Sequence, residues 1–410
     1  MKRPALKLLF IWLAVDTGVA AAALDYSVSW VGNSFSGKEV WVLQDVADIH
    51  VEKNGTLFTN IGWDEAGGNV EQIRNGVVEK IAKHTHGWGF EGGDAVASNT
   101  KYVYIISYGG NEGGGLVGNS WPPAGFSWSG ISRRLRSDIA QAAPFDGGHG
   151  LEGDVLRGCY LPVIEVAEGT DASLAGIAAT DERLFVSNAY DNTIRVYDAE
   201  TMAQTASWPV ARPGKLCLDN EGCVWILQRP GTAGGPWSVL RYNRDGVRQA
   251  QTVTLDAAEH PRDICVDRNN RLLVADAGPN QQVIVFENAT AAPVRATPIG
   301  VQGGIWAGPV CGRFGDLRFN MPNGVGSDSA GNIYVASSGS SASDAGGGGG
   351  STVIESYSPS GALNWRVFGL EFVDMASVDP QTGIDVYTKE EHFVMDWTKS
   401  AGGEWSYAGF

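Results

Sequence analysis

The chain alternates short apolar runs with polar turns. Four segments carry the pattern clearly: GIAATDERLFVSN at 176–188, KLCLDNEGCVWIL at 215–227, DICVDRNNRLLVAD at 263–276 and GVGSDSAGNIYVAS at 324–337. Weaker copies are DIHVEKNGTLFTN at 48–60 and DAVASNTKYVYIIS at 94–107. Each copy is an apolar strand, a turn rich in Asp, Asn and Gly, and a second strand rich in Val, Ile, Leu and Tyr, which is a β-hairpin. A hairpin recurring along the chain predicts a repeat architecture in which each unit packs on its neighbours.

The predicted fold is all-β, a β-propeller. Inner strands start near 48, 94, 176, 215, 263, 324 and 375, which gives seven blades, with six as the alternative if one hairpin is misread. The segment NVEQIRNGVVEKIAK reads as the outer hairpin of the first blade, turning at Asn75-Gly76. The runs Tyr26 to Val31 and Lys38 to Leu43 precede the first inner strand and are expected to complete the last blade, closing the ring. Residues 24–410 are therefore one propeller domain with a long insertion at about 109–154, expected to cover one face. A Gly/Ser-rich loop runs from Gly339 to Ser351.

Composition sharpens this picture. Glycine makes up 55 of 410 residues, as many tight turns require. The 14 tryptophans suit the wedges between blades. A net charge of −16 argues against nucleic acid and anionic membranes as partners, and leaves cations and neutral ligands. Residues 1–23 read as a signal peptide: Lys2, Arg3 and Lys7, an apolar core from Leu8 to Val15, then Ala20 to Ala23. That core is too short to span a bilayer, so the expectation is a secreted or periplasmic protein with no membrane span. Five cysteines fit such a compartment. Cys217 and Cys223 flank one turn and are either a cross-hairpin disulfide or two ordinary thiols.

The hairpins resemble NHL-type repeats, best seen in PNGVGSDSAGNIYVAS, and the hairpin of the senescence-marker-protein/gluconolactonase family. The second resemblance implies a divalent cation on the propeller axis, held by a Glu, two Asn and an Asp. Met321-Pro322-Asn323-Gly324 matches the motif that holds one Asn, and Asp374 stands where that family has its Asp. The family's early Glu motif is missing.

The residues themselves also point at the axis. Inner-strand starts gather on one face around the channel, and here they are Asp48, Asp94, Gly176, Lys215, Asp263, Asn323 and Asp374. Clustered carboxylates repel unless a cation binds, and calcium best tolerates irregular oxygen geometry. Raised carboxylate pKa values, or a bridge to Lys215, are the other solutions. Candidate metal ligands are thus Asp48, Asp94, Asp263, Asn323 and Asp374. His86 is a candidate general base beside Asp94, with Glu91 near; a structural His packed on Trp88 is the other reading. Candidate ligand-binding residues are Trp88, Trp121, Trp128 and Trp306, taken as loop aromatics that stack on sugars, and Arg133 and Arg134, taken as a carboxylate clamp. Three functions follow: a secreted propeller holding a small-molecule, glycan or protein ligand on its loop face, a metal-dependent lactonase, hydrolase or lyase acting on a sugar-derived substrate, or a structural module. The loop aromatics favour the first and the acidic ring the second.

Overall fold

The computed structural model describes residues 46–61, 70–82, 91–110, 125–149, 158–167, 170, 173–339, 352–369, 376–388, 391–399 and 405–409, with backbone only at 91–94, 108–110, 127, 405 and 407. Its strands form seven antiparallel sheets, six of four strands and one of five. The expected all-β propeller is what forms, and among the described residues the only helical segment is the 3-10 turn Gly304–Trp306.

Six sheets make the ring. Their inner strands are Val46–Val51, Glu91–Ser98, Leu174–Ala179, Pro213–Leu218, Pro261–Val266 and Pro322–Ser327, here called the inner strands of blades 1 to 6. Each packs on the next, and that of blade 6 packs directly on that of blade 1. The seven hairpins counted in the sequence are thus seven sheets, while the ring closes on six. The seventh sheet, over 377–409, attaches outside it, where Arg313 bridges Gly409 and the Phe314 N–H donates to the Ala408 carbonyl at 3.1 Å. The closing contact is apolar and polar together. Ile49 packs in one core with Tyr334, Ala336 and Ile354, the Val46 N–H donates to Thr352 Oγ1 at 3.1 Å, and Asn323 Nδ2 donates to the Val46 carbonyl. The runs Tyr26 to Val31 and Lys38 to Leu43, expected to close the ring, lie outside the described residues.

The repeated Asp explains the repeated phrase. Asp219 Oδ1 accepts the Glu221 and Cys223 N–H groups, and Asp267 Oδ1 those of Asn269 and Arg271. Asp328 does the same for Asn332. Each carboxylate clamps its own hairpin turn, the local bonding that makes Asp a turn residue. The outer hairpin of blade 1 turns at Asn75 and Gly76, at φ 51° and 77°, as that dipeptide predicts.

Blade 2 corrects three expectations. Within the span 109–154, expected to lie outside the blade, residues 126–135 and 138–142 are its third and fourth strands, and 160–167 pairs along the other part of the third. Trp128 is therefore not in a loop: it is fully buried in the third strand, edge-on to Tyr160 at 5.4 Å. Arg133 and Arg134 are not a surface clamp, being 2% and 0% exposed in the same strand. Arg133 donates to the carbonyls of Ala143, Pro144, Ala199 and Glu200 and lies over the Tyr102 ring at 4.1 Å, so it ties blade 2 to blade 3. The cross-hairpin disulfide does not form: Cys217 stands opposite Trp225, out of register with Cys223.

Candidate functional site on the propeller axis

The inner strand of a blade is the edge of its sheet, so part of its N–H groups point at the channel and need acceptors. The neighbouring blade supplies them. Asp48 Oδ2 accepts the Val96 N–H at 2.8 Å, and Asp263 Oδ2 accepts the Val325 N–H at 2.8 Å. Cys265 meets Ser327 Oγ at 3.8 Å in the next layer. Cross-strand register aligns Asp48 and Asp263 with Ala95, Gly176 and Gly324, so Ala95, not Asp94, holds the equivalent place in blade 2. The bulge between Gly92 and Val96 causes this offset.

Lys215 extends from blade 4 across the channel to blade 1. Its Nζ lies 2.9 Å from Asp48 Oδ1 and 3.4 Å from the Ala47 carbonyl, with the two side chains only 12% and 6% exposed. Asp263, on blade 5, is near enough to both for each to act on it. Burial first, then repulsion from Asp48, raises its carboxyl to about 8, against the opposing pull of Lys215 and the N–H groups of Val325 and Ile264. Near pH 7 the group is thus held mainly as the neutral acid, beside an Asp48–Lys215 ion pair. One layer on, burial lowers the His50 imidazole to about 4, with Glu52 opposing. Burial likewise raises Cys265 to about 12 and Cys217 well above the usual thiol range.

These groups form the floor and wall of a cavity of about 980 Å³. It runs from Asp48, Lys215 and Asp263 past His50, Cys217 and Cys265 to the inner-hairpin turns at Asn54, Thr100, Asn220 and Ser329. At that rim Arg136 Nε donates to Glu52 Oε1 at 2.7 Å with a second, shorter bond to Oε2, and Ser98 Oγ donates to Glu52 Oε1 at 2.8 Å. Arg268 is turned to the Ser329 carbonyl at 2.7 Å. Among the described residues no Phe, Tyr or Trp side chain belongs to the lining, and His50 is its one ring.

Of the candidates read from the sequence, Asp48 and Asp263 line the cavity, while Asn323 bonds to the Val46 carbonyl and is not part of the lining. His86, Trp88, Trp121 and Asp374 lie outside the described residues, as does the side chain of Asp94. Trp306 is half-buried in its 3-10 turn and does not line the cavity. Three lining groups were not singled out in advance: His50, Cys217 and Cys265. Their signal was their common place, two residues beyond Asp48, Lys215 and Asp263.

The described donors do not fit a divalent cation. Asp48 uses one oxygen on Val96 and the other on Lys215, Asp263 uses one on Val325, and Asn323 gives its amide nitrogen to Val46, which leaves its Oδ1 as a single neutral oxygen without a hydrogen bond. Calcium requires about 6–8 oxygens, and among the described residues no cluster of three His, Cys, Asp or Glu side chains is placed to hold a metal.

Fold and hairpins together define a β-propeller with an NHL-type repeat. The NHL repeat itself matches residues 259–286, the inner hairpin and third strand of blade 5. No curated protein matches the chain. Among solved structures, a protein of unknown function from Bacteroides thetaiotaomicron is 12% identical at a TM-score of 0.45, over 76% of this chain and 72% of that one. A chain of a nidogen/laminin complex is 12% identical at 0.42, over 78% and 94%. A gluconolactonase from Xanthomonas campestris is 16% identical at 0.33, over 56% and 72%. At such identities the likeness concerns the fold alone. Among the described residues no helix is long and apolar enough to cross a membrane.

Proposed function

We propose that this protein is a secreted or periplasmic binding propeller that takes a small, neutral, polar ligand, such as a sugar or the end of a glycan, into its axial cavity. The observation that carries this is the cavity of about 980 Å³, within the size range of small-molecule sites. Its lining supports a neutral ligand because its principal charges are already balanced internally, Lys215 by Asp48 and Arg136 by Glu52. Recognition then falls to hydrogen bonds at the polar rim, where the Ser98 and Thr100 hydroxyls, which donate to Glu52 and Asp181, keep oxygen lone pairs that can accept from a ligand, since no Phe, Tyr or Trp among the described residues lines the cavity. The ligand enters from the inner-hairpin turns, at the opposite end of the cavity from Asp48, Lys215 and Asp263. The metal-dependent lactonase, hydrolase or lyase reading rested on an axial cation, for which the described donors give no support.

The test uses thiols as reporters. Cys217 and Cys265 line the cavity whereas Cys311 is exposed outside it. Neutral mono- and disaccharides and matched uronic acids are titrated in a thermal-shift assay. Those that stabilise the protein are then tested by hydroxyl-radical footprinting at matched radical dose, which oxidises neutral thiols as well as thiolates, with mass spectrometry of each cysteine. The expected result is saturable stabilisation by a neutral sugar that slows modification of Cys217 and Cys265 and leaves Cys311 unchanged. Stabilisation confined to the uronic acids, or without protection of the cavity thiols, would overturn the reading.

A further inference from the structure

We infer that the ammonium of Lys215 is a built-in cation that occupies the axial position, so that the propeller is independent of divalent metal for its stability. Three observations carry this. Lys215 stands at a strand start equivalent to those of Asp48 and Asp263, where a carboxylate in its place would have added to the acidic ring. It crosses from blade 4 to blade 1, opposite in the ring of six, and its Nζ meets Asp48 Oδ1 at 2.9 Å inside the channel. A further oxygen on each of the two carboxylates is engaged by backbone, Asp48 Oδ2 by Val96 and Asp263 Oδ2 by Val325.

The physical reason is direct. A buried carboxylate needs a positive partner and satisfied lone pairs. A metal supplies both at once but must be taken up from outside. A lysine covalently tethered to the opposite blade supplies the charge at every metal concentration, and the neighbouring edge strands satisfy one further oxygen on each of Asp48 and Asp263. The ammonium also links blade 1 to blade 4 across the channel, a connection that neither neighbour packing nor the hairpins make. This inference stands whichever ligand occupies the cavity, so its failure and that of the binding proposal are separate results.

The experiment is thermal unfolding of the full chain in EDTA, then in millimolar CaCl₂ or MgCl₂, for the wild type and two variants. The wild type is expected to melt at the same temperature in all three. Lys215→Met leaves Asp48 buried without its counter-charge; it should melt lower in EDTA and recover part of the loss in calcium, through the carboxylates the lysine has vacated. The double variant Lys215→Met/Asp48→Asn removes both charges, and should melt above the single variant and show no response to calcium. Should Lys215→Met fail to fold, the wild type and the double variant still decide. A saturable rise in wild-type melting temperature with calcium, abolished in the double variant, would overturn the inference. So would a single variant as stable as the wild type in EDTA.

Discussion

Asp263→Asn should stabilise this protein at alkaline pH and flatten its pH profile. Asp263 is 5% exposed, and burial together with Asp48 raises its carboxyl to about 8. Unfolded, it titrates near 4. Between these values the folded chain keeps a proton that the unfolded chain has lost, so stability falls as pH rises from about 4 through about 8. His50 acts in the opposite sense. Its folded value is depressed to about 4, so the unfolded chain binds the extra proton below about 6.5 and stability falls as pH drops through that range. The two effects oppose each other up to about pH 6.5, and above it Asp263 acts alone. At about 1.4 kcal/mol per pH unit, the loss between pH 6.5 and 8 is about 2 kcal/mol. The groups facing Asp263 are Asp48 and Lys215 across the channel, and Cys217 and Cys265 beside it, whose thiols stay protonated through this window. Asn reproduces the neutral acid: its oxygen accepts the Val325 N–H, and the Asp48–Lys215 pair is untouched. Urea unfolding of wild type and Asp263→Asn at pH 6.5 and pH 8 measures the difference. The wild type should lose about 2 kcal/mol more than the variant over that interval. Equal slopes, or a variant less stable than the wild type at pH 8, would refute the reasoning.

Other consequences are structural and can be read by the same unfolding assay. Arg133→Lys cannot reach all four carbonyls that the guanidinium serves between blades 2 and 3, and should cost about 2–4 kcal/mol without altering sugar binding; a loss of sugar binding at unchanged stability would restore the clamp reading. Gly326→Ala places a Cβ 2.3 Å from Val51 Cγ2 where blade 6 meets blade 1, and should cost about 1–3 kcal/mol. Val51→Ala in the same chain should recover part of that loss; strictly additive losses would argue against the contact. Asp219→Ala removes the acceptor of two turn N–H groups, of Trp225 Nε1 and of the buried Arg241 Nε, and should cost about 3–5 kcal/mol. A loss below about 1 kcal/mol would show that the turn does not depend on the clamp.

The hairpins were legible because their signals are local. An Asp that clamps its own turn must stand at a fixed distance from the strands it joins, and Asp219, Asp267 and Asp328 do so. Ring size was not legible in the same way. The seventh sheet has its own hairpin, but whether it joins the ring depends on blades 1 and 6 meeting directly, through Ile49, Val51, Gly324 and Gly326, residues far apart in the chain. Blade 2 was misread where local signals conflict with the fold. The strand FSWSGISRRL looks like a polar loop because Ser and Arg alternate with its apolar residues. Arg133 is tolerated inside because carbonyls of the turn between the third and fourth strands of blade 3, Ala199 and Glu200, join those of Ala143 and Pro144 around it, and the blade 3 pair has no trace in the neighbouring sequence. At the axis, the equivalence of Asp48 and Asp94 failed over one bulged residue.

The acidic ring shows how a structural requirement can look like a reaction centre. Carboxylates at strand starts around a channel suggest a metal when only their side chains are considered. The inner strands are also sheet edges, and their N–H groups need acceptors where no further strand follows. Asp48 and Asp263 each meet that need for the next blade, which accounts for their position before any ligand is invoked. That need does not account for Lys215 or His50. A channel that only had to close could have been filled with alanine and glycine, as blades 2, 3 and 6 are at Ala95, Gly176 and Gly324. Blades 1, 4 and 5 instead set an imidazole and two thiols in the cavity wall, above a floor whose ammonium and carboxylate are paired. The asymmetry is therefore the part of the axis that structure alone does not require, and it is on that half of the wall that a bound ligand should make its specific contacts.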